Sequence, residues 1–281
     1  MHLIGFMQGR LCAPVDGKIQ AFPWDDWESE FPAAAAVGLH AMEWTLDQDR
    51  LYGNPLMTSA GRERIRTLSR DHQIDVPSLT GDCFMQAPFW KEDGEARDGL
   101  IADFLAICSA CSAVGMKLLV VPLVDNGRLD NARQEAALVE FLLAHENFLA
   151  DEGLQVAFES DFVPAQLRRF IDQLPHDRFG VNYDIGNSAA LGYDPAEEFA
   201  AYGSRVLNVH VKDRVRGGTT VPLTTGAARF EVVFAQLAAM NYQGNLILQT
   251  ARAADGNHAG VLRDYYEMTV NWMRRSGLRV A

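Results

Sequence analysis

The chain has 281 residues, of which 48% are hydrophobic and 22% are charged, and this composition excludes a disordered chain. A net charge of −12, without a long run of Lys and Arg, argues against a nucleic-acid partner. No segment approaches the roughly 20 apolar residues of a membrane span, and the N-terminus lacks a signal-peptide pattern, so we predict a cytoplasmic protein without a membrane partner.

Short β-rich segments alternate with longer segments of helical periodicity along the whole chain. Segments such as Leu118–Val121 are apolar on both faces, as parallel strands covered by helices require. The predicted strands are His2–Met7, His40–Trp44, Ile74–Leu79, Lys117–Leu123, Leu154–Glu159, Phe179–Asp184, Val206–Val211 and Asn245–Gln249. The predicted helices are Asp25–Val37, Ser59–His72, Gly94–Val114, Ala132–Asp151, Pro164–Gln173, Pro195–Tyr202, Ala228–Met240 and Asn257–Ser276.

Eight strand–helix units predict an α/β fold, a single (βα)8 TIM barrel in one domain over residues 1–281. A doubly wound open sheet has the same alternation, so the count of eight units is what favours a closed barrel. The chain also lacks the Gly-rich nucleotide-binding motifs of open sheets and of P-loop proteins. The pair Cys108 and Cys111 falls inside a helical pattern, which predicts buried packing rather than a zinc site.

The predicted strands end in polar residues, and the active sites of TIM barrels lie at those ends. Glu159, Asp184 and His210 end three successive strands, and Gln249 ends the eighth. Because neighbouring strands lie about 4.8 Å apart, these side chains can converge on one point. Two carboxylates, an imidazole and an amide oxygen suit one divalent metal, with Mn²⁺ or Mg²⁺ favoured and Zn²⁺ or Co²⁺ left open. Ordinary ion pairs and a core histidine are the alternative.

Six short motifs resemble those of the xylose isomerase-like TIM barrels, a sugar-phosphate isomerase/epimerase family that also contains ketose 3-epimerases and endonuclease IV. The resemblance spans nearly the whole chain, and the order of the motifs on the last four strands is specific. The motifs are Phe6–Leu11, Glu43–Trp44, Ala157–Asp161, Asn182–Ser188, Asn208–Arg214 and Leu246–Arg252.

The resemblance implies a divalent-metal-dependent isomerase or epimerase of a sugar or sugar phosphate, in which a proton leaves the carbon beside a polarised carbonyl. In relatives that epimerise ketoses, the ligands are Glu, Asp, His and Glu, and both glutamates exchange protons with the substrate. Glu159, Asp184 and His210 match the first three, whereas Gln249 stands at the fourth position. Since an amide cannot serve as a carboxylate base, only Glu159 is left of the two bases.

A second acid or base must then come from elsewhere if the reaction needs one. Glu43 is the best candidate because it ends an otherwise apolar strand, and a structural ion pair is the alternative. Asp82 and Asp213 are further candidates. Aldose–ketose isomerisation needs one base, epimerisation uses two, and dehydration is a third outcome of the same proton abstraction.

Substrate contacts are predicted after four of the strands, around the same rim. Basic residues after strands 7 and 8, with the loop Gly217–Thr220, stand where such barrels often bind phosphate, and ion pairs with rim carboxylates are the alternative. Gly9 would let the first strand end close to a ligand. The predicted substrate-binding residues are Gln8, Arg10, Asn187, Lys212, Arg214 and Arg252.

Three functions stay open on these residues. The first is the isomerase or epimerase. The second follows from Gln249 in place of a glutamate: a barrel that binds a sugar or polyol without converting it, or one that dehydrates it. The third is a DNA-repair enzyme like endonuclease IV, which the net charge of −12 and the single histidine at a predicted rim position oppose. The resemblance also implies a homo-oligomer.

Overall fold

A computed structural model describes residues 3–279, in which eight parallel strands close into a barrel. Going round the barrel from the first strand, the order is β1, β10, β7, β6, β5, β4, β3 and β2. The barrel strands are β1 (Ile4–Met7), β2 (Ala41–Thr45), β3 (Asp75–Thr80), β4 (Leu118–Leu123), β5 (Gln155–Ser160), β6 (Phe179–Asp184), β7 (Val206–Val211) and β10 (Asn245–Leu248). The predicted (βα)8 barrel is therefore confirmed, while His2 of the first predicted strand lies outside the described residues.

The two remaining strands form a small antiparallel hairpin between β7 and β10. They are β8 (Asp213–Arg214) and β9 (Thr220–Val221), and Arg214 pairs with Thr220. The sequence pattern did not predict this hairpin, because two-residue strands carry no measurable periodicity. The loop between the two strands contains Gly217 and Gly218.

Eleven α-helices occur within residues 3–279, and they surround the barrel or lie over its mouth. Two helices that follow directly on strands, α3 and α8, were not predicted, and the predicted helix Ala132–Asp151 is divided at His145. The helices are α1 (Glu30–Val37), α2 (Ser59–His72), α3 (Asp82–Gln86), α4 (Gly94–Val114), α5 (Ala132–Ala144), α6 (Glu146–Asp151), α7 (Pro164–Ile171), α8 (Ile185–Leu191), α9 (Pro195–Tyr202), α10 (Phe230–Ala239) and α11 (His258–Ser276).

The helix boundaries follow from capping residues in the sequence. The Thr58 side chain accepts a hydrogen bond from the Gly61 amide at the start of α2. Asp194 caps α9, whose first residue is Pro195. At the other end, α4 stops at Gly115, which adopts the left-handed conformation with φ of 90°. Within residues 3–279, no helix has the length and apolar character that crossing a membrane requires.

The strand register brings the polar strand ends together. Asp184 is paired with His210 between β6 and β7, and Pro122 is paired with Glu159 between β4 and β5. The barrel strands are buried along most of their length, so their outward side chains join the hydrophobic core under the helices. Inside the barrel, polar side chains occupy the layers nearest the carboxyl ends, and these layers hold the site.

Candidate active site

Glu159, Asp184 and His210 form a buried cluster at the carboxyl ends of β5, β6 and β7. His210 Nδ1 lies 3.1 Å from Glu159 Oε2 and 4.0 Å from Asp184 Oδ2. One potential ligand atom from each residue falls within 4.8 Å of the others. Such a group of two carboxylates and an imidazole can hold a divalent cation.

Glu43 lies beneath this cluster, in the fully buried interior of the barrel. Its Oε1 is 2.7 Å from His210 Nε2. A carboxylate on Nε2 fixes that nitrogen as the N–H donor and leaves Nδ1 to face Glu159 and Asp184, which is the usual arrangement behind a metal-binding histidine. Both Glu43 oxygens also accept further hydrogen bonds, from Ser78 Oγ, Thr80 Oγ1 and Asn208 Nδ2.

The electrostatics of the cluster favour positive charge at its centre. Burial disfavours a charged imidazole, but Glu43 and Glu159 outweigh it and raise the pKa of His210 to about 10. Burial also opposes ionisation of Glu159, yet His210 and Lys212 lower the pKa of this carboxyl. The carboxylates that hold a proton on His210 Nδ1 would attract a cation to the same place, so the residues fit a divalent metal.

Lys212 joins the cluster from the segment after β7. Its Nζ lies 3.3 Å from Asp184 Oδ2 and 3.2 Å from Gln249 Oε1. Burial raises the pKa of Asp184, Lys212 opposes the rise, and Glu159 adds to it. The fourth predicted ligand, Gln249, therefore lies beside the acidic cluster, and the Lys212 ammonium bridges its amide oxygen and the Asp184 carboxylate.

A cavity of about 560 Å³ opens above the cluster, at the mouth of the barrel. This volume suits a small-molecule substrate. Glu159, Lys212 and Gln249 form part of its wall, whereas Asp184, His210 and Glu43 lie behind that wall and do not line the cavity. Further lining residues are Ile19, Gln20, Asp82, Gln86, Asp125, Asp161, Asn187, Arg214, Thr219 and Thr220.

Asn187 and Arg214 brace Glu159 at the cavity wall. Asn187 Nδ2 donates to Glu159 Oε1 over 2.6 Å, and the Asn187 amide donates to Asp184 Oδ1 over 2.7 Å. Arg214 donates to Asn187 Oδ1 and, through two nitrogens, to the Gly218 carbonyl. The two residues predicted to bind substrate thus also fix the orientation of the predicted base.

Three predicted substrate ligands, Gln8, Arg10 and Arg252, are not among the residues that line the cavity. Arg252 donates to the carbonyls of Gly9 and Ile19, while Arg10 donates to the Ile19 carbonyl and to Gln20 Oε1. Gln8 is fully buried, and its Oε1 accepts from the Thr45 amide. The two arginines therefore hold the 9–20 segment, and Gln8 connects the end of β1 to β2.

Other side chains important to the site were missed by the sequence reasoning. Asn182 Nδ2 contacts Glu159 Oε2 at 2.9 Å and His210 Nδ1 at 3.1 Å, and Asn208 bridges Asn182 and Glu43. Each asparagine stands two residues before a predicted ligand, so the two-residue period of a strand places it on the same inward face. That spacing is a signal from which both could have been found.

Glu30 was also missed, and it carries no periodic signal. This buried carboxylate accepts hydrogen bonds from the amides of Gly9 and Leu11 over 2.8 to 2.9 Å. Burial raises the pKa of Glu30 to about 7, against the effect of these amides and of Arg10 and Arg252. Glu30 fixes the turn that follows β1.

A comparison with protein families matches residues 31–275 to the xylose isomerase-like TIM barrel family. SgbU of Escherichia coli (strain K12), which carries a provisional assignment as L-ribulose-5-phosphate 3-epimerase, is 22% identical over 239 residues. That match covers 79% of this chain and 83% of SgbU.

Two solved structures share the fold over almost their whole length. The protein IolI with a bound zinc atom superimposes with a TM-score of 0.75 at 16% identity, covering 98% of this chain and 99% of IolI. D-psicose 3-epimerase, solved in the presence of D-fructose, gives a TM-score of 0.71 at 16% identity, with 98% of both chains covered. At these identities the likeness establishes the fold alone.

Proposed function

Because the chain belongs to the xylose isomerase-like TIM barrel family, we propose that it is a divalent-metal-dependent isomerase or epimerase of a sugar. The observation that carries this proposal is the buried cluster of Glu159, Asp184 and His210, which borders the cavity through Glu159 and in which Glu43 orients the histidine. Glu159, Asp184, His210 and Gln249 would hold the metal. When bound, it would supply the positive charge that polarises the substrate carbonyl and stabilises the enediolate charge.

Glu159 is the proposed base of this reaction. It reaches the cavity, and its lowered pKa keeps it ionised near neutral pH. Asn182 and Asn187 hold one oxygen each, which fixes the direction in which the carboxylate can take a proton from the carbon beside the carbonyl. Lys212 lines the same cavity, and its ammonium, which donates to Asp184 and Gln249, has one N–H left for a substrate oxygen.

Proton exchange in D₂O tests this function directly. We expect the Mn²⁺-loaded protein to replace the α-proton of at least one ketose in a panel by deuterium, as seen by proton NMR. EDTA is expected to slow the exchange by about 100-fold or more, since one charge-stabilising group of the transition state is lost, and added Mn²⁺ should restore it. Exchange that survives complete metal removal would contradict the metal dependence. A sugar that raises the melting temperature without exchanging would instead support the non-catalytic barrel.

The substrate that fits this cavity best is an unphosphorylated sugar. Arg10, Arg214 and Arg252 all donate to backbone carbonyls or side-chain oxygens of the protein, and Lys212 is shared by Asp184 and Gln249. The hairpin loop offers no phosphate cradle at its glycines, because the Gly217 and Gly218 amides donate to the carbonyls of Ala190 and Val215. The cavity wall also carries the carboxylates of Asp125, Glu159 and Asp161, which would repel a phosphate dianion.

Matched pairs of ketoses and their phosphates test this preference. We expect kcat/KM for L-ribulose to exceed that for L-ribulose 5-phosphate by roughly tenfold or more, because a like-charge contact costs at least about 1.4 kcal/mol here. Inorganic phosphate at 20 mM should leave the rate with L-ribulose unchanged at constant ionic strength. A preference for the phosphate ester would show that Arg10, Arg214 or Arg252 gives up its hydrogen bonds within the protein and binds the phosphate instead.

A further inference from the structure

An epimerase of this kind needs two groups that exchange protons with the substrate, and the replacement of the strand-8 glutamate by Gln249 leaves one position open. Glu43 does not reach the cavity, and both of its oxygens accept hydrogen bonds inside the barrel. Asp213 is fully buried, and its oxygens accept from the Gly226 and Ala228 amides. Neither carboxylate is free to receive a substrate proton.

Asp82 is the buried carboxylate that faces the cavity without a partner. It stands in the first turn of α3, just after β3, and is 8% exposed. Within residues 3–279, its carboxylate takes part in no hydrogen bond or salt bridge. The other two wall aspartates differ, since Asp161 is paired with Arg128 at 2.6 Å and Asp125 is exposed.

The barrel topology separates Asp82 from Glu159 by one strand. Glu159 ends β5 and Asp82 follows β3, with β4 between them. Neighbouring strands are about 4.8 Å apart, so the backbones that carry the two groups stand roughly 10 Å apart at the rim. Both side chains line the cavity, so their carboxyl groups enter it from two different strands and can approach one substrate carbon from two sides.

We propose that Asp82 is the second proton-transfer group of the site, and that with Glu159 it inverts one carbon centre of the sugar, making the protein an epimerase. Glu159 takes the proton, and the C–H electron pair becomes the double bond of the enediolate while the carbonyl oxygen gains the negative charge. Asp82 gives its proton to the other face of the same carbon as the carbonyl reforms. Solvent then returns a proton to Asp82 and removes one from Glu159. This assignment rests on the proposed function.

The charges that face Asp82 agree with a proton donor. Burial raises the pKa of Asp82, Asp47 after β2 and Glu159 on β5 add to the rise, and Arg10 after β1 and Lys212 after β7 oppose it, which together bring the pKa to about 8. The acid is therefore protonated near neutral pH. Its donor form declines above about pH 8.

Asp82→Asn separates the two proton transfers. With the metal-loaded enzyme in D₂O, we expect epimer formation to fall by about 100-fold or more, while deuterium exchange into the starting ketose by Glu159 stays within tenfold of wild type. The wild-type rate should decline above pH 8, and this decline should be absent from the residual rate of the variant. Asp75→Asn is the matched control, because Asp75 is exposed at the opposite end of β3.

A stability measurement distinguishes this role from a structural one. In the folded protein the pKa of Asp82 is raised from 3.8 to about 8, so its protonated form is favoured by folding and stability is lost as the pH rises between these values. Asp82→Asn removes this loss, and we expect its melting temperature to exceed that of wild type at pH 8 but not at pH 4. Asp82→Ser serves in the same measurements if the asparagine variant does not fold.

The outcomes separate this proposal from the proposed function. Wild-type protein that exchanges a ketose proton, with Asp82→Asn forming the epimer within tenfold of the wild-type rate, overturns the role of Asp82 alone. Lower stability of the variant at both pH values, with exchange and epimer formation lost together, assigns Asp82 a structural role and also overturns it. Wild-type protein that exchanges no ketose proton overturns both proposals.

Discussion

Glu159→Gln is expected to lower both α-proton exchange and product formation by about 10³-fold or more, measured at saturating Mn²⁺. An amide keeps the size of the side chain and an oxygen for Asn182 or Asn187, but it cannot accept a proton near neutral pH. The expected loss lies in the upper part of the range for general-base catalysis. Asn182 and Asn187 hold the Glu159 carboxylate in place, and no other cavity-lining base lies at that position to replace it.

The same substitution is expected to weaken metal binding, so the titration must be carried to saturation. Losing one anionic ligand from the cluster should raise the Kd for Mn²⁺ at least tenfold, which calorimetry measures independently of turnover. Glu140→Gln on the exposed face of α5 is the matched control. If Glu159→Gln exchanges the α-proton at more than a tenth of the wild-type rate, Glu159 is not the base.

Glu43→Ala is expected to cost about 3 to 5 kcal/mol in the free energy of unfolding, measured by urea denaturation. The substitution leaves four buried donors without their acceptor, and a protonated histidine without one of its counter-charges. Glu43→Gln keeps the shape and one oxygen, so its cost should be smaller, about 1 to 3 kcal/mol. An alanine variant that stays within 1 kcal/mol of wild type would show that water or a side-chain shift replaces the carboxylate.

The stability difference should also depend on pH. Burial would raise the pKa of Glu43, but His210 and the hydroxyls of Thr80 and Ser78 lower it below 4.5 in the folded protein. A lowered pKa stabilises the fold above pH 4.5, and this contribution is lost as the pH falls through the folded value. We therefore expect the difference in the free energy of unfolding between wild type and Glu43→Gln to be largest near pH 7 and to become smaller below pH 4.5.

The ligand cluster could be predicted because parallel strands place their ends at one rim. The bounds of β6 and β7 follow directly from apolar runs in the sequence, and Asp184 and His210 close those runs. The same argument places Glu159 at the end of the preceding strand, β5, which continues by one residue to Ser160. Because each proposed ligand lies at or next to the end of a mostly apolar strand, small errors in the helices between the strands do not move it.

The partners of the polar groups could not be predicted, because they depend on register across the barrel and on loop conformation. Nothing in the spacing of Glu43 and His210, 167 residues apart, shows that they meet. Arg10 and Arg252 were predicted to bind substrate from their positions on strand ends, but the conformation of the 9–20 segment directs their guanidinium groups to its carbonyls. Helix α3, which carries Asp82, has five residues and shows no helical periodicity.

The hydrogen bond between Glu43 and His210 connects the two halves of the chain. All four proposed metal ligands belong to β5, β6, β7 and the segment after β10, whereas the carboxylate that orients their histidine comes from β2. The chain between these two residues is long, so bringing them together costs loop-closure entropy, and in the closed ring β2 is joined to β7 through β1 and β10. If the cluster binds a metal as proposed, a chain with its second half folded and its first half detached would keep the proposed ligands but lack the group that orients their histidine.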